Sequence, residues 1–410
     1  MSAASFRADA RVIGLVATAH GVSHFFQLLL APLFPWIRAE LGLSYAELGA
    51  LMAIFFIVSG VGQALSGFIV DRVGARSVLF VGLALLGAAA LVMGTSSGYA
   101  GLALGAMIAG LGNCVFHPAD YTLLNRRVSA PRLAHAFSAH GISGNLGYAA
   151  APVFLVGIAQ LTGSWRTAVL AAAAVAIAVL LLLLLNRSVL DDRAGLSAAD
   201  GSRARSAAAG SSLAFLKLPQ VWMCFAFFLV SSLAIGGVQS FAPTALHELY
   251  GMPLTLAALA YTTFMLASAG GMLLGGFAGA RTSNHDRLIA TCFVAAGSLS
   301  VLLGLAVLPA VMVLPIMGLI GFGTGVANPS RDLLVRAASP AGATGRVYGT
   351  VYSGLDAGMA IAPVIFGLIM DAHQPGWVFV VIGGFQFLAI FTALTVGTSS
   401  RRRRDVTAVA

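Results

Sequence analysis

The chain has 410 residues, of which 59% are apolar and only 9% charged, whereas an average soluble domain is about a quarter charged. So few charges cannot cover a water-soluble globule of this length. The formal net charge of +9 raises a nucleic-acid reading, but the basic residues lie between the apolar runs rather than in one patch, and that reading is set aside.

Apolar runs of about 20 residues recur along the chain, the length needed to cross a hydrocarbon core of about 30 Å. Only helices and closed barrels satisfy every backbone N–H and C=O in such a medium. The runs are too long and too continuous for barrel strands, which alternate over about 10 residues. With turn residues and charges as punctuation, helices are predicted over 12–37, 46–70, 76–95, 99–125, 133–160, 166–186, 219–246, 255–280, 286–308, 311–336, 345–370 and 376–398. The first run is too long for the apolar part of a signal peptide and is expected to remain as an uncleaved first helix. Cys114, Cys224 and Cys292 fall inside apolar stretches at wide spacing, as small core residues do; neither a disulfide framework nor a zinc site is suggested.

Lysine and arginine placement in short loops sets the expected orientation. With residue 1 in the cytoplasm, the outer loops hold only Arg38 and Arg166, leaving 21 of the 23 basic residues inside. Those are Arg7, Arg11, Arg72, Arg76, Arg126, Arg127, Arg132, the 187–217 segment, Arg281, Arg287, Arg331, Arg336, Arg346 and Arg401 to Arg404. The chain is expected in the cytoplasmic (inner) membrane with both termini cytoplasmic. Anionic lipid is the expected contact of Arg401 to Arg404; no nucleic-acid partner is expected.

The stretch from Arg187 to Lys217 is rich in Ser, Ala, Gly and mixed charge, and buries too little apolar surface to order itself. The expected organisation is a six-helix bundle over 1–187, a cytoplasmic linker over 188–217, a second six-helix bundle over 218–400 and a basic cytoplasmic tail over 401–410. An internal repeat supports the division. One offset of 211 residues aligns His117-Pro118 with Asn328-Pro329, Gly147 with Gly358, Ala151 with Ala362 and Pro152 with Pro363.

Between the second and third helices, Gly67-Phe-Ile-Val-Asp71-Arg72-Val-Gly74-Ala-Arg76 resembles the cytoplasmic loop signature of the major facilitator superfamily. The resemblance implies an all-α polytopic membrane protein with twelve transmembrane helices in two pseudo-symmetric six-helix halves, and a solute site near the midplane between them. It also implies a gate at Gly67, Asp71, Arg72, Gly74 and Arg76, with Asp71 pairing with inner-side arginines. The corresponding Gly275-Gly-Phe-Ala-Gly279-Ala-Arg281 keeps glycines and lacks the acid. Over the first 160 residues or so, Ala19-His20-Gly-Val-Ser-His24, Gly110-Leu-Gly-Asn-Cys-Val-Phe116-His117-Pro118 and Gly144-Asn145-Leu-Gly147 with Pro152 together resemble the fosmidomycin-resistance group of drug–proton exporters. The chain departs from that group at His24 and Ala119, where its members tend to carry acids. It departs from the superfamily near Ala106, where an arginine is usual.

Charges at membrane depth cost at least about 2.5–3.5 kcal/mol each by insertion scales, so each survivor needs a reason. His20, His24 and Gln27 stand at i, i+4 and i+7, on one helix face, expected to line a cavity or else to hydrogen-bond neighbouring helices. Two histidines at this spacing also suit a metal ion, but no convergent carboxylate or thiol is evident from the sequence, so no metal site is expected. On the fourth helix, His117, Asp120 and Tyr121 surround Pro118, which frees a carbonyl one turn earlier; these residues are either solute-facing or a structural His–Asp pair. The matching place on the tenth helix has Asn328, Pro329, Arg331 and Asp332. On the fifth helix, His140, Ser143, Gly144, Asn145 and Gly147 form a small polar surface, and Asp356 occupies the repeat position of Asn145. A carboxyl among apolar side chains is suited to binding and releasing a proton near neutrality. Asp356 is therefore the first choice for proton coupling, ahead of Asp120 and His24, the alternative being a permanent pair with Arg331.

Solute-binding residues are expected to be His20, His24, Gln27, His117, Asn145, Gln239 and Arg331. Gly321-Phe-Gly323-Thr-Gly325 lies in an apolar run without a following lysine, so it is not a phosphate loop. No nucleophile elbow is present, and an enzyme is not expected. The expected function is secondary active transport of a small organic solute by alternating access, as proton-coupled efflux. The first alternative is proton-coupled uptake of an organic anion or metabolite; lesser ones are a metal or metal-chelate exporter and a non-transporting membrane sensor. No cofactor is expected beyond the proton gradient, and the expected partners are the solute, protons and the lipid bilayer around a monomer.

Overall fold

The computed structural model describes residues 3–192, 219–282, 284–338 and 344–409; the side chains of 3–5, 64, 130, 134, 280, 332–350, 352 and 396–409 are outside what it describes. Among the described residues it is all helical, and twelve segments are long and apolar enough to cross a membrane. They are α1 (Phe6–Leu41), α2 (Tyr45–Gln63, the helix itself continuing to Val73), α3 (Ala75–Thr95), α4 (Tyr99–Arg127), α5 (His135–Thr162) and α6 (Trp165–Leu185). The second set is α7 (Pro219–Tyr250), α8 (Leu254–Gly279), α9 (His285–Gly304), α10 (Ala310–Arg331), α11 (Ser353–Asp371) and α12 (Pro375–Thr395).

Two segments expected as single helices are broken, and proline is the reason in both. In α1 the helix stops at Gln27 and a short helix resumes over Phe34–Leu41. Pro32 and Pro35 disfavour helical backbone before them and donate no N–H. In α4 the helix stops at Asn113 and resumes at Phe116, because Pro118 leaves the Cys114 carbonyl without its helical donor; Ser66 Oγ donates to that carbonyl at 3.1 Å instead. The helix starting at Pro375 runs on to Val409, through the segment expected as a tail. Most of the expected linker, and the side chains of Arg336, Arg346 and Arg401 to Arg404, lie outside the described residues.

Ends are set by local chemistry. Ser44 accepts from the Glu47 N–H while Glu47 accepts from the Ser44 N–H, a reciprocal cap that starts α2. Gly74, with φ of 96°, makes the tight turn into α3 that a side chain would strain. Large apolar side chains such as Leu161, Phe277 and Phe391 project outward and are exposed, as a lipid-facing surface requires.

The two sets of six pack alike. A Cβ at Gly147 would lie 2.1 Å from the Gly21 carbonyl oxygen, and one at Gly358 2.6 Å from that of Leu229. Glycine thus brings α5 against α1 and α11 against α7 in equivalent places. Between the sets, α2 packs on α11 and α5 on α8. Gly49 abuts the Pro363 carbonyl, and Thr262 Oγ1 donates to the Ala149 carbonyl at 2.7 Å. At the end bearing Ser44, the Asp371 carboxylate accepts from the Tyr45 and Ala46 N–H groups at 2.7 and 2.8 Å. There Tyr45 Oη also hydrogen-bonds Glu248 at 2.5 Å. These contacts close that end.

Candidate functional site

A cavity of about 480 Å³ lies between the two sets of helices. The first six contribute His24, Gln27, Gln63, His117, Asn145 and Tyr148 among others; the last six contribute Gln239, Asn328, Arg331, Asp356 and Gln386. Of the expected solute-binding residues, His24, Gln27, His117, Asn145, Gln239 and Arg331 therefore share one cavity, as does Asp356.

His20 and Asp120 correct the sequence reading, because neither lines the cavity. His20 is 2% exposed and Asp120 fully buried; both sit behind the wall, where α1, α4 and α5 meet. Asp120 Oδ2 lies 3.1 Å from His140 Nε2, which it hydrogen-bonds, and 3.2 Å from His20 Nδ1. The His20 and His140 rings stack with centroids 3.5 Å apart. The expected His117–Asp120 pair is absent: His117 Nδ1 hydrogen-bonds Gln63 Oε1 at 3.0 Å. Asp120 is also the carboxylate that sequence reasoning did not bring to the helix 1 histidines. Helix phase explains the misreading, since a polar side chain facing a neighbouring helix and one facing a cavity lie within the same broad arc.

A polar chain runs along the cavity wall. Ser23 Oγ donates to Asn113 Oδ1 at 3.0 Å, Asn113 Nδ2 donates to Ser59 Oγ at 2.8 Å, and Tyr148 Oη donates to Gln27 Oε1. Ser59, Gln63, Asn113, Tyr148 and Gln386 were missed from the sequence. The available signal was Ser59 and Gln63 at i and i+4 on α2, the same pattern that revealed His20 and His24.

Asp356 faces Gly60 of α2: a Cβ there would lie 3.4 Å from Asp356 Cβ and 3.7 Å from its Oδ2. Asp356 makes no ion pair among the described residues, so the expected alternative of a permanent pair with Arg331 is not realised. The Arg331 guanidinium stands 4.7 Å over the Phe228 ring, a cation–π contact.

At the end of α2, Asp71 and Arg72 are exposed, and Asp71 has no ion pair among the described residues. Arg76 lies 3.5 Å from Asp191 and donates to the Arg187 carbonyl at 3.1 Å. Asp192 caps α3 by accepting from the Ala75 N–H at 2.7 Å and lies 3.5 Å from Arg126. Gly67 has open space around its Cα.

The sequence of residues 16–349 matches the family model for the Major Facilitator Superfamily. The chain belongs to this superfamily. Its major facilitator fold, with twelve helices in two pseudo-symmetric sets, is matched by a crystal structure of a bacterial homolog of the human lysosomal transporter Spinster in an inward-facing and occupied conformation. That match has a TM-score of 0.73 at 13% identity and covers 95% of this chain and 96% of the other. The nucleoside transporter NupG gives a TM-score of 0.73 at 15% identity, covering 94% and 99%. These likenesses show the fold. In sequence, this major facilitator chain is 24% identical over 163 residues to the Fosmidomycin resistance protein of Escherichia coli (strain K12), covering 39% of this chain and 40% of that protein. It is 26% identical over 130 residues to the "Probable L-galactonate transporter" of the same organism, covering 32% and 28%. Each match thus spans less than half of the relative's length.

Proposed function

We propose that this superfamily member exports a small organic solute across the cytoplasmic membrane in exchange for protons, by alternating access, with both termini in the cytoplasm. The observation that carries the reading is Asp356, a carboxyl on the cavity wall without an ion pair among the described residues, set against Gly60 where α2 meets α11. A buried charge is costly at membrane depth. The seam between α2 and α11 therefore closes over a neutral carboxyl at lower cost than over a charged one, which ties proton loading to the conformational change. Glutamine, asparagine, serine and tyrosine side chains supply orienting hydrogen bonds to a solute. Similarity of the first part of the chain to the Fosmidomycin resistance protein supports export.

The test uses purified protein in liposomes, with proton flux and solute movement recorded under an imposed pH gradient. Wild type should move protons and solute together. Asp356→Asn should retain solute exchange within about threefold while losing gradient-driven accumulation, because only the proton-carrying group is gone. Equal gradient-driven transport by wild type and Asp356→Asn removes Asp356 from coupling; absence of any proton flux in wild type removes coupling altogether.

A second reading, uptake of an organic anion, is favoured by Arg331 on the cavity wall and by similarity to the "Probable L-galactonate transporter". Deleting the gene separates the two: export predicts heightened drug sensitivity, and uptake predicts lost growth on an organic acid.

A further inference from the structure

The histidine cluster is larger than solute binding requires, and its donor atoms are arranged around shared space. One nitrogen each from His20, His24 and His117 can be chosen so that all lie within 4.8 Å of one another. Both ring nitrogens of His24 are buried without a hydrogen-bond partner, an unusual state for a polar group that has to be explained. Of the other two rings, His117 Nδ1 is bonded to Gln63 Oε1 at 3.0 Å, and His20 Nδ1 lies 3.2 Å from Asp120 Oδ2 without a hydrogen bond to it. That leaves Nε2 of each directed elsewhere. Gly144 provides the room: a Cβ at this position would sit 2.8 Å from His24 Nδ1 and 3.1 Å from His20 Nε2.

We propose that His20, His24 and His117 bind one divalent transition-metal ion of the zinc, cobalt or nickel kind. Three neutral imidazoles are the donor set such ions favour. Metal-bound histidines characteristically have their other nitrogen held by a carboxylate or amide, which fixes ring orientation and strengthens the ligand. Asp120 and Gln63 stand in that place. In a formed site the nitrogens would be about 3.3 Å apart, from metal–nitrogen bonds of about 2.0–2.1 Å, a contraction that small ring rotations supply. Asp120, with His140 bonded to its Oδ2, also stands close behind the ion, where an ionised carboxylate would offset part of the cost of a cation at membrane depth. His24 and His117 line the cavity and His20 does not. A three-imidazole ion would thus keep its remaining coordination position toward the cavity, where a solute's donor atom can complete it.

The site is tested on the purified full-length protein by Co(II) titration followed in the visible spectrum, with Zn(II) competition and equilibrium dialysis for stoichiometry. Wild type should bind one ion per chain with the intense absorption of low-coordinate Co(II). His24→Asn and His117→Asn should weaken binding at least about 100-fold, and Asp120→Asn, a positioning change, about 10–100-fold. Gly144→Ala retains every donor atom but fills the shared space, and should also lose the ion; it carries the test if a histidine variant does not fold by size exclusion. His373→Ala, on an exposed turn, should bind as wild type does. Failure of the wild type to bind Co(II) or Zn(II) saturably overturns the proposal. So does binding that survives Gly144→Ala and His24→Asn, which would place the ion elsewhere.

Discussion

At position 147 a single methyl group would have no place to go. The Cβ it adds would stand 2.1 Å from the Gly21 carbonyl oxygen and 3.1 Å from the Phe25 nitrogen, and both of these are backbone atoms of α1 that rotamer changes cannot move. Gly147→Val should therefore push α5 off α1, at a cost of at least about 1–3 kcal/mol, and lower the melting temperature in detergent. Gly157→Val on the same helix has nothing within 4 Å and should melt as wild type does; equal melting of the two variants would show that the α1–α5 contact is looser than described. At this scale the sequence is informative wherever a polar residue interrupts an apolar run, which is how His24, Gln27, His117, Asn145, Gln239, Arg331 and Asp356 were legible. It is silent on which neighbour such a residue meets. His20 and Asp120 carry the same sequence signal as His24, yet they cluster with His140 behind the wall, where Asp120 hydrogen-bonds His140 and lies 3.2 Å from His20. Pairing across helices depends on how the helices rotate against one another, which one chain's periodicity does not encode.

Helix ends follow the same division. The break in α4 was foreshadowed by Pro118, and the structure supplies the missing half of the account in the Ser66 hydroxyl that takes the freed carbonyl. The start of α2 was expected at 46 and lies at Tyr45, but the partner of its first N–H groups was not foreshadowed. Its first N–H groups have no intrahelical partner, and only Glu47 is served locally, by Ser44 Oγ at 3.1 Å. Tyr45 and Ala46 both donate to Asp371, at the far end of α11. One carboxylate thus caps a helix of the other half, where the helix dipole also favours negative charge. Asp371→Ala should cost about 1 kcal/mol of stability, within the range for losing a helix cap, seen as a lower melting temperature. It should also speed the reaction of a cysteine placed at Ser231, on the cavity wall, with a membrane-impermeant maleimide added from the Asp371 side. Unchanged labelling would mean that Asp371 caps α2 without closing that end.

For the whole molecule, the 211-residue repeat was legible because close helix crossings admit only glycine, so Gly147 and Gly358 recur where the packing recurs. The closed end was not legible, since it depends on Tyr45, Glu248 and Asp371, ordinary polar residues next to loops. That closure yields the sharpest test of rocking. Tyr45 Oη and Glu248 meet at 2.5 Å across the two halves, so a short thiol-specific linker can join Tyr45→Cys to Glu248→Cys without altering the closed arrangement. If transport requires this end to open, the linked protein should still bind solute from the opposite side but transport at less than about a tenth of the unlinked rate. Cutting a reducible linker should restore the rate, and either single cysteine treated alike should be unaffected. Alternating access predicts this asymmetry because the cavity must empty through an end that the link holds shut. A linked protein that transports at full speed would mean that solute leaves without the halves parting there, and the rocking mechanism would have to be abandoned while the helix packing stood.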